Sequence, residues 1–280
     1  MLPHPVQASV TLRRGRLYKY KSLRDENFDH VMEIIKDHRI YCSRPLQLND
    51  PAECKPQLVI NSIDDPAYRP KVDAWVRRCV ARRNPIPSEP EILVELASLT
   101  QSKLEALIAE ATSMYQSEVD KRYRILSLAD SLANHHLWFN YADAYAGVCV
   151  EFFVDPMLGS AYRVDYSETL PAIDITNNDG FDALIATALL KRTAWRNERE
   201  YRLVFGDPPI AGDPPLVNQK LVFPPLLMTG VIFGYRAPAQ KRNTLLQGMR
   251  QYAPHARCAE ARGGPPFSNL RIVPLGTRSG

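Results

Sequence analysis

Residues Glu198–Phe205 read EREYRLVF, the sharpest local signal in the chain. A period of two puts Glu198, Glu200, Arg202 and Val204 on one face of a strand. Arg199, Tyr201, Leu203 and Phe205 fall on the other. A strand this apolar on one side belongs inside a sheet, so its second face projects two carboxylates about 7 Å apart, with Arg202 beyond them. Buried alone, such carboxylates are costly. In a cleft, one of them serves as an acid, a base or an electrostatic clamp. The competing reading is a solvent-facing E-x-E-x-R edge held by its own salt bridges.

Working outward from this strand, FDALIATALLKRTAW (181–195) reads as an apolar helix and VCVEFFV (148–154) as a buried strand. AYRVDYS (161–167) alternates as a neighbour of that buried strand, and SLANHHLWFNYADAYAG (131–147) reads as a helix ending at Gly147. RYRILSLADS (122–131) gives a strand and turn, RLYKYKS (16–22) an opening strand, and IYCSRP (40–45) a second short one. Between the last two, Phe28, Val31, Ile34 and Ile35 recur at helical spacing. Toward the C-terminus come LVFPP, the strand-like LLMTGVIFG, a helix from Pro238 to Tyr252 and a final strand LRIVPL.

Strands and helices do not alternate strictly and no repeat is visible. The pattern predicts an α+β fold with a mixed, mostly antiparallel sheet and flanking helices. Residues 15–278 are read as one domain, with 1–14 as a flexible N-terminus. Residues 64–122 form a helical insertion in that domain. There Trp75, Val76, Cys79 and Val80 mark one helix, and Ile92, Leu96, Leu99, Leu107, Ile108 and Tyr115 continue at helical steps. Ser88 is the expected N-cap and Glu91 its box partner. Arg77, Arg78, Arg82 and Arg83 either touch a phosphate backbone or form a solvated helix face. The proline-rich stretches Asn84–Pro90 and Asp207–Pro215 mark rigid loops.

Of the 280 residues, 45% are apolar and 24% charged, globular values that exclude wholesale disorder. The 35 basic against 31 acidic residues are too even to argue for nucleic acid by themselves. No apolar run reaches the roughly 18–20 residues of a membrane span, and MLPHPVQASVTLRRGR has no signal-peptide h-region. The five cysteines form no C-x-x-C pair, as expected of reduced thiols in the cytoplasm. The phosphate loops G-x-x-x-x-G-K-[ST] and G-x-G-x-x-G are missing, as is the nucleophile elbow G-x-S-x-G.

Within 131–147, helical spacing aligns His135, Trp138, Ala142 and Tyr145, with Tyr141 adjacent. Such a stripe either stacks a base or nicotinamide ring or fills core. His135 and His136 make a poor metal pair, since adjacent residues diverge on a helix. Asp50, Glu53 and Lys55 invite a magnesium-dependent nuclease reading, but Pro51 and Pro56 interrupt the strand that reading needs. In the corner Leu48–Glu53, Asn49 or Asp50 is expected to fold back on the local backbone.

Six segments in order carry a resemblance to a bacterial and phage family, domain of unknown function 2971. They are LYKYKS, RIYCSRPLQLNDPAEC, LWFNYADAYAGVCVEF, YRVDY, KRTAWRNEREYRLVF and VIFG, spanning nearly the whole chain outside the helical insertion. More distantly, the layout resembles the ADP-ribosyltransferase superfamily. That resemblance implies an ADP-ribosyltransferase-like fold and an NAD-consuming enzyme, without a metal, that modifies a protein or nucleic acid in a toxin, defence or effector role. It implies Glu200 as the catalytic carboxylate on the ribose 2′-OH and Glu198 as the group orienting the acceptor. It also implies Tyr18, Lys19, Tyr20, Ser127, Trp138 and Tyr141 as NAD contacts. The first-motif Lys19 and the middle-motif Ser127-Leu128 depart from the superfamily's usual residues. A non-catalytic interaction or sensing module, with the helical insertion as its partner surface, is the alternative. It predicts Glu198 and Glu200 tied to Arg202 or Arg199 with no open pocket beside them. The enzyme predicts a concave site where Tyr18, Tyr20, Trp138, Tyr141 and Glu200 converge.

Overall fold

The computed structural model describes residues 11–12, 14–50, 52–55, 57–60, 63–169, 172–176, 187–209, 214–263 and 270–275. The expectations for residues 1–10, for Pro51 and Pro56 and for the first part of the 181–195 helix lie outside them. The first half of the chain comprises β1 (Thr11–Leu12), β2 (Gly15–Lys21), α1 (Asp25–Lys36), β3 (Arg39–Tyr41) and β4 (Gln57–Val59). It continues with α2 (Arg69–Val80), α3 (Glu89–Ala97), α4 (Gln101–Arg122), β5 (Tyr123–Ala129) and α5 (His135–Asn140). Next come β6 (Val148–Val154), β7 (Ala161–Arg163), β8 (Asp165–Ser167), β9 (Ala172–Asp174), β10 (Leu190–Arg192) and β11 (Glu200–Gly206). The chain ends with β12 (Leu216–Val217), β13 (Lys220–Val222), β14 (Met228–Gly234), α6 (Ala239–Tyr252), β15 (Arg257–Arg262) and β16 (Arg271–Pro274).

Nine strands form one sheet in the order β1-β7-β11-β5-β2-β6-β14-β15-β16. Every neighbouring pair is antiparallel except β14–β15, which α6 joins as a parallel crossover. The fold is therefore mixed α+β with a mostly antiparallel sheet, and β11 lies inside it between β5 and β7. One face packs Leu17, Val150, Phe152, Leu203, Phe205 and Phe233 against Ile34 and Ile35 of α1 and Leu245 and Met249 of α6. The other packs Tyr20, Cys149 and Ile232 against Trp138, Ala142 and Tyr145. No helix among the described residues is long and apolar enough to cross a membrane.

The sheet is nearly two sheets. β2 pairs with β6 over seven residue pairs and β5 with β11 over seven, yet β2 and β5 meet at one pair only, Tyr18↔Ala129. The strands splay apart from there, and Lys19 Nζ donates to the Ser127 carbonyl across the gap at 2.8 Å. A side chain thus satisfies an acceptor that a continuous ladder would have paired.

Helices α2–α4 lie between β4 and β5 and bury their own core of Val72, Trp75, Val76, Ile92, Leu96 and Leu104. The expected box forms, with Ser88 N–H donating to Glu91 Oε2 at 2.7 Å. The continuous periodicity nonetheless breaks at Ser98–Thr100, where Thr100 caps a new helix by accepting from the Lys103 N–H. Arg77 pairs with Glu89, Arg83 pairs with Glu95, and Arg78 reaches the Thr176 carbonyl. Three of the four arginines therefore tie this subassembly together.

Four local expectations are corrected. The helix expected to end at Gly147 stops at Asn140, because Asp143, Ala144 and Tyr145 turn left-handed with φ of 50, 49 and 69°. Such non-glycine residues cost about 1–2 kcal/mol each. Arg24 holds Asp143, and the Arg236 N–H holds the Tyr145 carbonyl. Gly147 and Gly234 allow the close approach, since a Cβ on either would overlap a carbonyl oxygen, that of Lys21 or of Tyr145. The region read as helix through Trp195 contains strand β10 and the 3-10 turn Thr193–Glu198, because Leu190–Arg192 pairs with β8 in parallel. Tertiary pairing there overrides the leucine spacing. AYRVDYS is not a neighbour of β6 but splits into β7 beside β11 and β8 beside β10. Finally, β11 starts at Glu200, because Arg199 adopts a left-handed φ of 49° and leaves Glu198 on the 3-10 turn.

Candidate active site at the split in the sheet

A cavity of about 200 Å³ opens where β2 and β5 diverge. Its lining includes Tyr18, Lys19 and Tyr20 from β2, Ser127 and Ala129 from β5, Leu48 and Asn49 from the polar corner, and Tyr141 after α5. Lys191, Glu198 and Glu200 close its floor. Of the residues anticipated for catalysis and NAD contact, all but Trp138 line it. Trp138 is fully buried, stacked on Tyr145 at 5.5 Å, with Nε1 donating to the Leu132 carbonyl. His135 meets the Tyr145 hydroxyl through Nδ1.

The carboxylates do not stand side by side on a strand; they converge on Lys191. Its Nζ lies 2.6 Å from Glu198 Oε2, 3.0 Å from Glu53 Oε1 and 3.2 Å from Glu200 Oε2. The Trp195 ring lies against the same ammonium, 4.8 Å from Nζ to its centroid. Arg202 forks onto Glu200, with Nε–Oε1 at 2.7 Å and Nη2–Oε2 at 2.9 Å, and Nη2 also reaches Glu53 Oε1 at 2.7 Å. Its Nη1 donates to the Ala188 carbonyl. The left-handed Arg199 makes this convergence possible by turning the chain between Glu198 and Glu200. Arg199 itself pairs with Asp130, outside the cluster.

These neighbours set the charge states. Burial pushes the Glu200 carboxyl up, but Arg202, Lys191 and the Ser127 hydroxyl outweigh it and bring the pKa down from 4.5 to about 2. Burial also pulls Lys191 down, and Glu200, Glu53 and Glu198 more than reverse it, holding the ammonium above its usual range. The Tyr141 hydroxyl donates to Glu198 Oε1 and accepts from Asn49 Nδ2. Burial and that bond to Glu198 keep it protonated far above the ordinary phenol range. Lys19 is different: burial, reinforced by Lys21, lowers it from 10.5 to about 8 despite Glu200 and Glu198.

The corner is locked to β10 from outside. Arg192 forks onto Asp50, and Asp50 Oδ1 accepts from the Ala52 N–H, the local fold-back expected of this stretch. Glu53 shares Lys191 and Arg202 with Glu200, whereas Asp50 pairs with Arg192. Sequence reasoning missed Lys191, hidden in an apolar run read as helix. The signal was only partial: buried carboxylates demand counter-charges, but Arg192, Arg196, Arg199 and Arg202 all stand closer in sequence to Glu198 and Glu200 than Lys191 does. No family model matches the chain, and neither a curated protein nor a solved structure matches it.

Proposed function

We propose that the protein is an ADP-ribosyltransferase-like enzyme that takes the nicotinamide–ribose end of NAD into the cavity at the sheet split. ADP-ribose passes from there to a macromolecular acceptor in a toxin, defence or effector role. One observation carries this reading: Glu200, ionised and held by three N–H bonds, lines an open cavity together with Tyr18, Tyr20 and Tyr141. A carboxylate with a pKa of about 2 is no proton donor at neutral pH. It suits a reaction whose leaving group already carries positive charge and needs no acid, in which a fixed negative charge steadies an oxocarbenium-like transition state. Glu198, polarised by Tyr141, would orient the acceptor. The segments that resemble domain of unknown function 2971 supply the lining outside β5: β2, the Leu48–Asn49 corner, Tyr141 and the Lys191–Glu200 stretch.

The full pairing of Glu200 and Glu198 favours a second reading, a non-catalytic binding module in which the ion cluster only braces the fold. Incubation with a tagged NAD analogue separates the two. The enzyme labels itself or an added protein or nucleic acid, and Glu200→Gln, checked for folding by its melting curve, does not. Absence of label together with an unchanged Tm at millimolar NAD supports the binding module.

A further inference from the structure

One row of directly opposed residues crosses six strands of the sheet: Glu200, Ala129, Tyr18, Glu151, Gly230 and Arg257. Opposed residues share a face, so Glu151 lies on the cavity's side of the sheet, roughly 14 Å from Glu200 by strand spacing. The Glu151 side chain is fully buried, yet its counter-charges are not: Arg16 is 61% exposed and Arg257 is 49% exposed. Arg257 forks onto it with Nη2–Oε2 at 2.5 Å and Nε–Oε1 at 3.3 Å, and Arg16 Nε approaches Oε1 at 3.6 Å. Thr229 Oγ1 donates the remaining bond at 2.8 Å. One carboxylate thus orients two guanidiniums and leaves a net positive charge. Among the described residues, neither Nη of Arg16 nor Nη1 of Arg257 has a hydrogen-bond partner.

We propose that Arg16 and Arg257, positioned by Glu151, form an oxyanion subsite that takes the diphosphate of a ligand whose ring end occupies the cavity beside Glu200. A cavity of about 200 Å³ is too small for a whole dinucleotide. The remainder lies outside it, and half-buried Tyr18, which lines the cavity and stands opposite Glu151 in the sheet, offers a ring between the two places. Guanidinium donors match phosphate oxygens, and here Glu151 holds two guanidiniums side by side through one edge of each. Gly230 keeps the row shallow, since a Cβ there would collide with the Arg257 side chain.

The identification of the diphosphate with that of NAD rests on the proposed function; the affinity for an oxyanion does not. Calorimetric titration of the full chain with inorganic pyrophosphate tests the latter. Wild type binds, Arg16→Gln and Arg257→Gln each weaken binding about tenfold or more, and the double variant loses it. A triple variant that adds Glu151→Gln removes the stranded carboxylate, so loss of binding there, with an intact melting transition, is not misfolding. No binding to wild type at millimolar pyrophosphate, or unchanged binding in the folded triple variant, overturns the subsite. Pyrophosphate binding lost in the variants, without NAD turnover by wild type, keeps the subsite and removes NAD. NAD turnover with an unaltered KM in Arg257→Gln does the reverse.

Discussion

Glu200 and Glu151 occupy the same row of one sheet, and both are buried, but the regions around them are built differently. Glu200 is held by Lys191 and Arg202, whose side chains are 2% and 0% exposed. Glu151 is held by arginines that are half in solvent. Buried cations of this kind have no alternative partner in water, so the cluster fixes the geometry of its carboxylates. Exposed guanidiniums keep donors in water and can take a further anion without giving up the buried carboxylate. The difference teaches that the Glu200 region is suited to presenting a fixed charge and the Glu151 region to capturing one.

Breaking the buried side should cost most. Arg202→Met leaves Glu200 and Glu53 with Lys191 alone, and we expect a loss of about 3–5 kcal/mol in urea unfolding. A loss below about 1 kcal/mol would mean that the cluster is screened like a surface pair. Acid sharpens the same contrast. Glu200 titrates at about 2 in the folded chain against an ordinary 4.5, so its stabilisation is complete above 4.5 and fades as the pH falls toward 2. The linked contribution is roughly 3 kcal/mol, and Glu200→Gln should flatten that acid limb of the stability curve.

Lys19 gives an effect of opposite sign. Its folded pKa of about 8 lies below its ordinary 10.5, so folding is penalised while both states are protonated, and the penalty is relieved as pH rises from 8 to 10.5. Lys19→Met removes that penalty but leaves the Ser127 carbonyl without its donor, so the variant should lose stability relative to wild type between pH 8 and 10 in thermal melts. A difference that stays constant from pH 7 to 10 would locate the effect in packing instead. The smallest effect belongs to the exposed side. Arg257→Gln should cost about 1–2 kcal/mol, less than Arg202→Met in the same urea titration, because Arg16 and the Thr229 hydroxyl still serve the buried Glu151. Equal losses for the two variants would erase the comparison.

Much of the architecture was legible because burial imposes a period on sequence. VCVEFFV, RILSLA and YRLVF became neighbouring or near-neighbouring strands of the central sheet, and Val31, Ile34 and Ile35 face its core from α1. The errors fell where non-local partners decide. Leu190–Arg192 is a strand only because β8 pairs with it, and the left-handed turn at Asp143–Tyr145 exists because Gly147 and Gly234, the latter distant in sequence, make room. The residues that line the cavity were largely readable from type and order. Their arrangement was not, since alternation assigned Glu198 and Glu200 to one strand face, whereas a single left-handed residue turns both toward a lysine that no period marked.

The most direct test of the central claim is nicotinamide release from NAD, followed chromatographically for wild type and for Glu200→Gln with its fold verified. The account predicts steady release by wild type and none above background by the variant. Equal rates, or no release from well-folded wild type in the presence of protein and nucleic-acid acceptors, would contradict it.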